Sequence, residues 1–354
     1  MCFLAAGFGG VSGWTCSNYI PTAGSVCSGS TSYWSGVTCS SSNVINISKG
    51  STSFTGTLSS YFGQLTSLTY VDINDNKILG TIPTAIGRLT QLQHLQMGDN
   101  CFTGSLPTAL GLMTSLTYIW VSHTSITGTI PTSIGYLTAL RTVYLDSQYL
   151  VGTIPSSIGY LTSLSQMYIY NNKLTGTIPT TIGLMSLMLD FRIYLNSLSG
   201  AIPSAIGYLS KVIYLILYDN KLSGSLPTAI GLWASLTYLD LRTNSLTGTV
   251  PSQLCLLTKL STVTIYQNNL LSCSSVCTTG DTVYCLSGNL TIPIAIFISL
   301  NYLKFYNESN IYRLKHYYLA LHNILNFNFY SYLLWCSICE NRCWKQCFTD
   351  ITAC

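Results

Sequence analysis

From Thr57 to Ser272, apolar and polar letters follow a pattern that returns every 24 residues, nine times in register. Each unit holds an "LxxLxLxxN" segment, for example Leu68, Val71, Ile73 and Asn76, or Leu236, Leu239, Leu241 and Asn244. Alternation of period two predicts a short strand with one buried face. An apolar residue and a proline come next, at Pro83, Pro107, Pro131, Pro155, Pro179, Pro203, Pro227 and Pro251, with Ser59 in the first unit. Proline fixes φ and suits the first position of a helical turn, so each predicts the start of a tight turn. One such coil cannot enclose its own apolar side chains. Stacked coils can, with strands ~4.8 Å apart in a parallel sheet. Counting a further strand at Val44 to Ile47, the sheet spans roughly 45 Å.

Two more columns belong to the coil. Asn76, Asn100, Thr124, Gln148, Asn172, Asn196, Asn220, Asn244 and Asn268 end the strand segments. There a side-chain amide can satisfy inward-facing backbone groups of successive coils, and Thr124 and Gln148 are the expected weak rungs. Glycine follows at Gly80, Gly104 and onward to Gly248, where a side chain would crowd the adjacent coil. Residues Leu174 to Gly183, "LTGTIPTTIG", are therefore read as one side of one coil, with no chemistry of their own.

These residues resemble the plant-type leucine-rich repeat, whose unit reads "NxLxGxIPxxIGxLxxLxxLxL", and the match covers residues 57–272. The chain is similar to receptor-like protein ectodomains and polygalacturonase-inhibitor-like proteins. The resemblance implies an α/β solenoid: a right-handed superhelix with a parallel concave β-sheet and short 3-10 or helical turns on the convex side. "CSGSTSYWSGVTCSSSNVINIS", Cys27 to Ser48, resembles the family's N-terminal cap, with Cys27, Trp34 and Cys39 at the places of its bridged cysteines and its tryptophan. Lys49 departs from the apolar letter expected there, and the helical segment usual upstream of the cap is missing from the pattern. The expected organisation is a cap and first half-repeat over 1–56, nine repeats over 57–272, a C-terminal cysteine cap over 273–285, and a non-repeat tail over 286–354, poorly ordered or membrane-proximal.

Composition narrows the function. Charged residues make up 7% of the chain and the net charge is +4, with acids and bases scattered. A nucleic-acid groove needs a basic stripe, and none is present in the sequence. Cysteines gather at the array's ends: Cys2, Cys16, Cys27 and Cys39 before it, and Cys255, Cys273, Cys277 and Cys285 at its close. The interior holds Cys101 alone. End-clustered cysteines suit disulfide-pinned caps in an oxidising compartment, with Cys27, Cys39, Cys255, Cys273, Cys277 and Cys285 as disulfide candidates. Sequons at Asn46, Asn289 and Asn307 are glycosylation candidates and point the same way. "MCFLAAGFGG" lacks the basic start and long apolar core of a secretory signal, so the true N-terminus is expected upstream, in an extracellular or cell-surface protein.

The resemblance directs attention to the concave sheet, where ligands of the family commonly dock. Three outward columns cross it. They begin with Tyr70 and His94 and include Tyr118, Trp120, Tyr144, Tyr168, Tyr170, Arg192, Tyr194, Tyr214, Tyr218, Tyr238, Arg242 and Tyr266, these last twelve being the candidate ligand-binding residues. Rings with a polar tip offer contact area at small entropic cost, and Tyr, Trp and Arg are the usual anchors of binding surfaces. Tyrosines pairing across neighbouring strands are the plain alternative. Arg141, Arg192 and Arg242 fall beside Asp146, Asp190 and Asp240, and Arg192 with Asp190 or Asp240 reads as no more than a surface ion pair. His94 and His123 read as solvated residues, and no spacing supports a metal. No nucleophile, base and orienting acid assemble, so no enzyme and no cofactor are expected. The expected function is docking of a peptide, protein or glycan, with a possible co-receptor. The alternative is ice binding through ladders such as Thr103 and Ser105, Thr127 and Thr129, Thr175 and Thr177, and Thr247 and Thr249, which break at Leu79, Val151 and Ala201.

In the tail, the longest uncharged run, Tyr317 to Trp335, includes His322, Asn323, Asn326 and Asn328, short of a clean spanning helix. A membrane enters only if that segment inserts. Cys336, Cys339, Cys343, Cys347 and Cys354 offer one Cys-x-x-Cys pair but no nearby histidine, which argues against zinc.

Overall fold

The computed structural model describes residues 35–272 together with the short strands Cys27–Ser28, Thr31–Ser32 and Val283–Tyr284. Cys273, Cys277, Cys285, Asn289, Asn307, the 317–335 run and the tail cysteines lie outside the described residues, as does the side chain of Cys27.

A continuous sheet of 12 strands runs the length of the array, each strand bonded to the strand one coil away. Eleven are parallel. The remaining one, Val37–Ser40, pairs antiparallel with Asn43–Ser48 at the N-terminal edge. Along the repeats the register is 24 residues without slippage: Tyr118 lies beside Thr142, Ile119 beside Val143 and Trp120 beside Tyr144. The central residue of each three-residue strand faces inward, and Leu95, Ile119, Val143, Met167, Phe191, Leu215 and Leu239 are fully buried. With Leu174, Ile178, Ile182 and their equivalents they form one uninterrupted apolar cluster from Val37 to Ile265.

Opposite the strands, every described coil makes a five-residue 3-10 turn, from Ser60–Gln64 to Ser252–Leu256. The proline stands one position earlier than the sequence suggests. Pro131 is the N-cap, with φ −69° and ψ 140°, and its carbonyl accepts from the Ile134 N–H at 3.0 Å. Ser59 takes that role in the first unit, and its hydroxyl accepts from the Tyr61 N–H.

The asparagine column is a hydrogen-bond ladder. Asn220 donates to the carbonyls of Ile193, Leu217 and Tyr218 at 3.1, 3.1 and 3.2 Å and accepts from the Leu198 N–H at 3.0 Å. Gln148 is not a weak rung. Its Oε1 accepts from the Ile126 N–H at 3.2 Å and from the Thr124 hydroxyl at 2.6 Å, while its amide donates to the Val121 carbonyl. The longer glutamine reaches the preceding coil's carbonyl and the same kind of backbone N–H as an asparagine and also engages the threonine below it, although it donates to one carbonyl where Asn220 donates to three.

The lateral flank behaves differently. Its strands pair at a spacing of 22, so Thr153 lies beside Thr175 and Ala201 beside Ser223. The strands group into sheets of three, two and four, and backbone bonds such as Thr127 N–H to Gly104 O and Ser199 N–H to Gly176 O, both 2.7 Å, continue from one group to the next. Gly176, at φ 75°, leaves room for the methyl of Thr153; a Cβ there would sit 2.7 Å from it.

Candidate functional site

On the concave face the outward side chains do not stand apart. Tyr70, His94 and Tyr118 stack with centroids 4.6 and 4.2 Å apart and planes within 11°. Tyr118 meets Tyr144 edge-on at 5.8 Å, and Tyr144 stacks on Tyr168 at 4.4 Å. Arg192 continues the row, its guanidinium 4.6 Å from the Tyr168 ring and 5.8 Å from Tyr214, which in turn lies 6.4 Å from Tyr238. A second row starts where Tyr168 leans against Tyr170 at 6.2 Å. Tyr170, Tyr194 and Tyr218 stack at 4.3 and 4.4 Å, then Arg242 lies 4.4 Å over Tyr218 and 5.9 Å from Tyr266. Each aromatic contact contributes ~0.5–1.5 kcal/mol beyond its burial. Trp120 lies apart from both rows, its indole against the backbone of Gly98, where a Cβ would come within 2.7 Å.

The geometry follows from the register. Equivalent side chains one coil apart are separated by the strand spacing, ~4.8 Å, close to ring-stacking distance. Ring faces therefore turn toward one another along the array, and several hydroxyls are engaged within the face itself, Tyr144 donating to Gln166 at 2.9 Å.

Buried carboxylates hold the two arginines, which corrects the reading of these pairs as surface contacts. Asp190 is 6% exposed and accepts from Arg192 Nε at 2.8 Å and Nη2 at 2.7 Å, while the Tyr168 hydroxyl donates to the same carboxylate at 2.6 Å. Asp240, 1% exposed, takes Arg242 Nε at 3.4 Å and its backbone N–H at 3.2 Å. Arg242 also donates to the Tyr266 hydroxyl at 3.1 Å. Burial outweighs this looser pairing and pushes the Asp240 carboxyl up to about 6. Asp146 is held differently, without an arginine among the described residues. Asp146 accepts from the Ser122 hydroxyl at 2.5 Å, and His123 bridges Asp99 at 3.2 Å and Asp146 at 3.6 Å. His123 is thus an ion-pair partner rather than a freely solvated residue, and its hydrogen bond to Asp99 raises its pKa. His94, inside a stack, is lowered by burial. Burial also pushes the hydroxyls of Tyr118 and Tyr194 up to about 12, so the row stays protonated and can donate.

Sequence reasoning placed His94 in an outward column of the face but not among the candidate ligand-binding residues, and it left His123 outside the columns. The signal was available, because His94 occupies the same outward column as Tyr70 and Tyr118. Cys39, Cys101 and Cys255 are disulfide-bonded. Cys101 was not among the candidates; its isolation in the array had set it aside. Asn46 is half-buried beside Tyr70 in the first parallel strand. Among the described residues no group of three metal-ligating side chains occurs and no helix is long and apolar enough to cross a membrane.

A family model described as Leucine Rich Repeat matches residues 67–89, 91–113, 115–137 and 235–257. The chain is a plant-type leucine-rich-repeat protein. Among solved structures this leucine-rich-repeat chain is similar to the ectodomain of the Arabidopsis thaliana membrane receptor kinase GASSHO1/SCHENGEN3 in complex with CASPARIAN STRIP INTEGRITY FACTOR 2. Identity is 34% over 67% of this chain and 29% of that one, with a TM-score of 0.66. The Arabidopsis receptor kinase HAESA, in complex with the peptide hormone IDA and the co-receptor SERK1, is 28% identical over 67% of this chain and 44% of its own, with a TM-score of 0.54. A plant ice-binding protein is 27% identical over 67% of this chain and 77% of its own, with a TM-score of 0.57. The chain therefore spans less than half of either receptor structure. A comparison with curated proteins finds no match.

Proposed function

We propose that the concave groove is an extracellular recognition surface for a polypeptide, engaged through the tyrosine edges and the clamped arginines. The stacked rings carry this reading. A sugar platform needs free ring faces, and in the stacked runs those faces are spent on neighbouring rings and guanidinium groups. What the rows leave for a partner are ring edges and the ordered rims of the arginines, because hydroxyls such as those of Tyr144 and Tyr168 already donate to Gln166 and Asp190; edges and fixed cations suit the mixed apolar and polar groups of a polypeptide. Half-buried rings and carboxylate-held arginines are already ordered, which lowers the entropic cost of binding. Receptor ectodomains solved with a peptide hormone are similar to this chain, in line with a peptide ligand and a possible co-receptor. Disulfides at Cys39, Cys101 and Cys255 suit an oxidising, cell-surface setting.

A peptide, protein and glycan binding screen on the full chain, repeated with a Tyr170→Ala, Tyr194→Ala, Tyr218→Ala triple variant, tests the assignment. The expected result is peptide or protein hits that weaken at least about 10-fold in the variant, the size of a lost anchor cluster. Undiminished binding by the triple variant, or hits confined to glycans, refutes it.

Ice binding is the second reading, favoured by the similarity to an ice-binding protein over most of that protein's length. The flank geometry weighs against it. The 22-residue register places Lys173 beside Val151 and Lys221 beside Ser199, so lysines interrupt the hydroxyl ladders. Thermal hysteresis by the purified chain, lost on Thr153→Tyr, would restore this reading.

A further inference from the structure

The 3-10 turns carry a row that neither the core nor the concave groove uses. The last residue of the turn is Leu or Tyr in seven successive coils, at every 24th position from Leu112 to Leu256. All seven are 50–69% exposed. The repeat leaves this letter free, as Gln64 and Arg88 show in the first two coils. None of the seven turns contains Asp, Glu, Lys or Arg.

Adjacent turns of the row also pack closely. A Cβ on Gly159, in the turn before Tyr160, would lie 2.2 Å from the carbonyl oxygen of Thr181 in the next coil, and one on Gly63 would lie 2.1 Å from that of Ala85. Close approach of neighbouring turns brings their last residues side by side as a continuous row, looser at Gly231, where a Cβ would lie 3.5 Å from the Gln253 carbonyl oxygen.

We propose that this stripe is a dimer interface in which two copies of the chain pack antiparallel about a two-fold axis at Leu184. An isologous contact requires a self-complementary patch, and the letters supply one. Outward from the Leu184 pair, Tyr160 meets Tyr208, Tyr136 meets Leu232, and Leu112 meets Leu256. Charge selects the direction. Lys211 and Lys259 flank the stripe in the C-terminal half, where Ser163 and Ser115 hold the equivalent places near the other end. Antiparallel packing sets each lysine against a serine, whereas parallel packing sets lysine on lysine. Seven half- to two-thirds-exposed Leu and Tyr with their flanking Ser and Thr amount to roughly 800 Å² per copy, the share each partner gives to a standard specific interface. The largest apolar patch on a typical monomer is about 300–600 Å². The strand sheet lies on the opposite side, so both grooves of the dimer stay open.

Sedimentation velocity of the full chain up to about 100 μM, within the range of interfaces this size, tests the proposal. The expected result is a reversible dimer whose dissociation constant rises at least about 10-fold in Leu184→Lys, since that change places two like charges together at the axis. Because Leu184 is exposed, unchanged far-UV circular dichroism serves as the folding control. Mixing Tyr160→Glu with Tyr208→Lys is expected to favour the heterodimer over either homodimer, as only antiparallel pairing brings these positions together. A wild-type monomer throughout the series, or a dimer indifferent to Leu184→Lys, overturns the proposal. So does a monomer that binds neutral phosphatidylcholine vesicles and loses that binding in Leu184→Lys, which would make the stripe a lipid-facing surface.

Discussion

Replacing Asn220 by Ala isolates one rung of the amide ladder, and the structure allows the cost to be worked out group by group. The three carbonyls that lose a donor each keep another. Ile193 O still receives Asn196 Nδ2, Leu217 O receives Asn244 Nδ2, and Tyr218 O receives the Leu195 N–H. The group left without its partner is the Leu198 N–H, whose bond to Asn220 Oδ1 is 3.0 Å in a buried setting. An orphaned buried donor costs ~1–3 kcal/mol, and the thinned carbonyls add a few tenths each, so the loss is about 2–4 kcal/mol. For an array of this size that corresponds to a fall in melting temperature of roughly 4–15 °C. Because a repeat array unfolds locally as well as globally, the sharper assay is native-state hydrogen exchange. The Leu198 amide should lose protection out of proportion to amides several coils away. Wild-type protection at Leu198, or a stability loss below about 0.5 kcal/mol, would refute the claim that the column satisfies backbone groups rather than filling space.

Further outcomes are expected. The Asp240 carboxyl rises from 3.8 to about 6 on folding, so the native state binds more protons than the unfolded state in that window. Stability should then fall as pH rises from about 4 to 6, by up to ~3 kcal/mol at 1.36 kcal/mol per unit; Asp240→Asn should flatten that slope in urea unfolding measured across pH. The raised pKa of His123 gives a contribution present below 6.5 and lost as pH climbs past its folded value. His123→Gln should remove that loss, and nuclear magnetic resonance titration of the ring should show the upward shift. Gly159→Ala drives a Cβ to 2.2 Å from the Thr181 carbonyl and should destabilise by about 1–3 kcal/mol in thermal melts, since the clash is with backbone and not with a movable side chain.

The fold was legible because the coil demands the same inward letters each time. Leu68, Val71 and Ile73 announce a strand, Pro83 announces a turn, and the 24-residue return announces stacking. The turn type and the proline's place outside it depend on ψ, which the letters do not encode. The concave columns were legible too, since alternation sorts inward from outward residues. How the outward rings would meet was not, because stacking depends on distances between coils far apart in sequence. The Asp190 clamp escaped notice for the same reason: along one strand Asp190 and Arg192 look like neighbours on a wet face, and only the flanking rings make that face dry. Gln148 was judged by its difference from asparagine, although one extra methylene reaches the same carbonyl. The 22-residue lateral register also left no trace, as the letters repeat at 24 on every side.

Because the long sheet keeps strict register while the flank slips two residues per coil, the array has only one direction in which it can be lengthened without penalty. Duplicating a whole unit, such as Leu161–Leu184, would insert one more rung into the groove and leave every existing strand pair matched. An insertion of two residues within a strand would instead mismatch the pairing of that coil with its neighbour. Groove length can therefore change by integer steps, each adding a new trio of contact letters, which makes the reach of such a protein a matter of copy number.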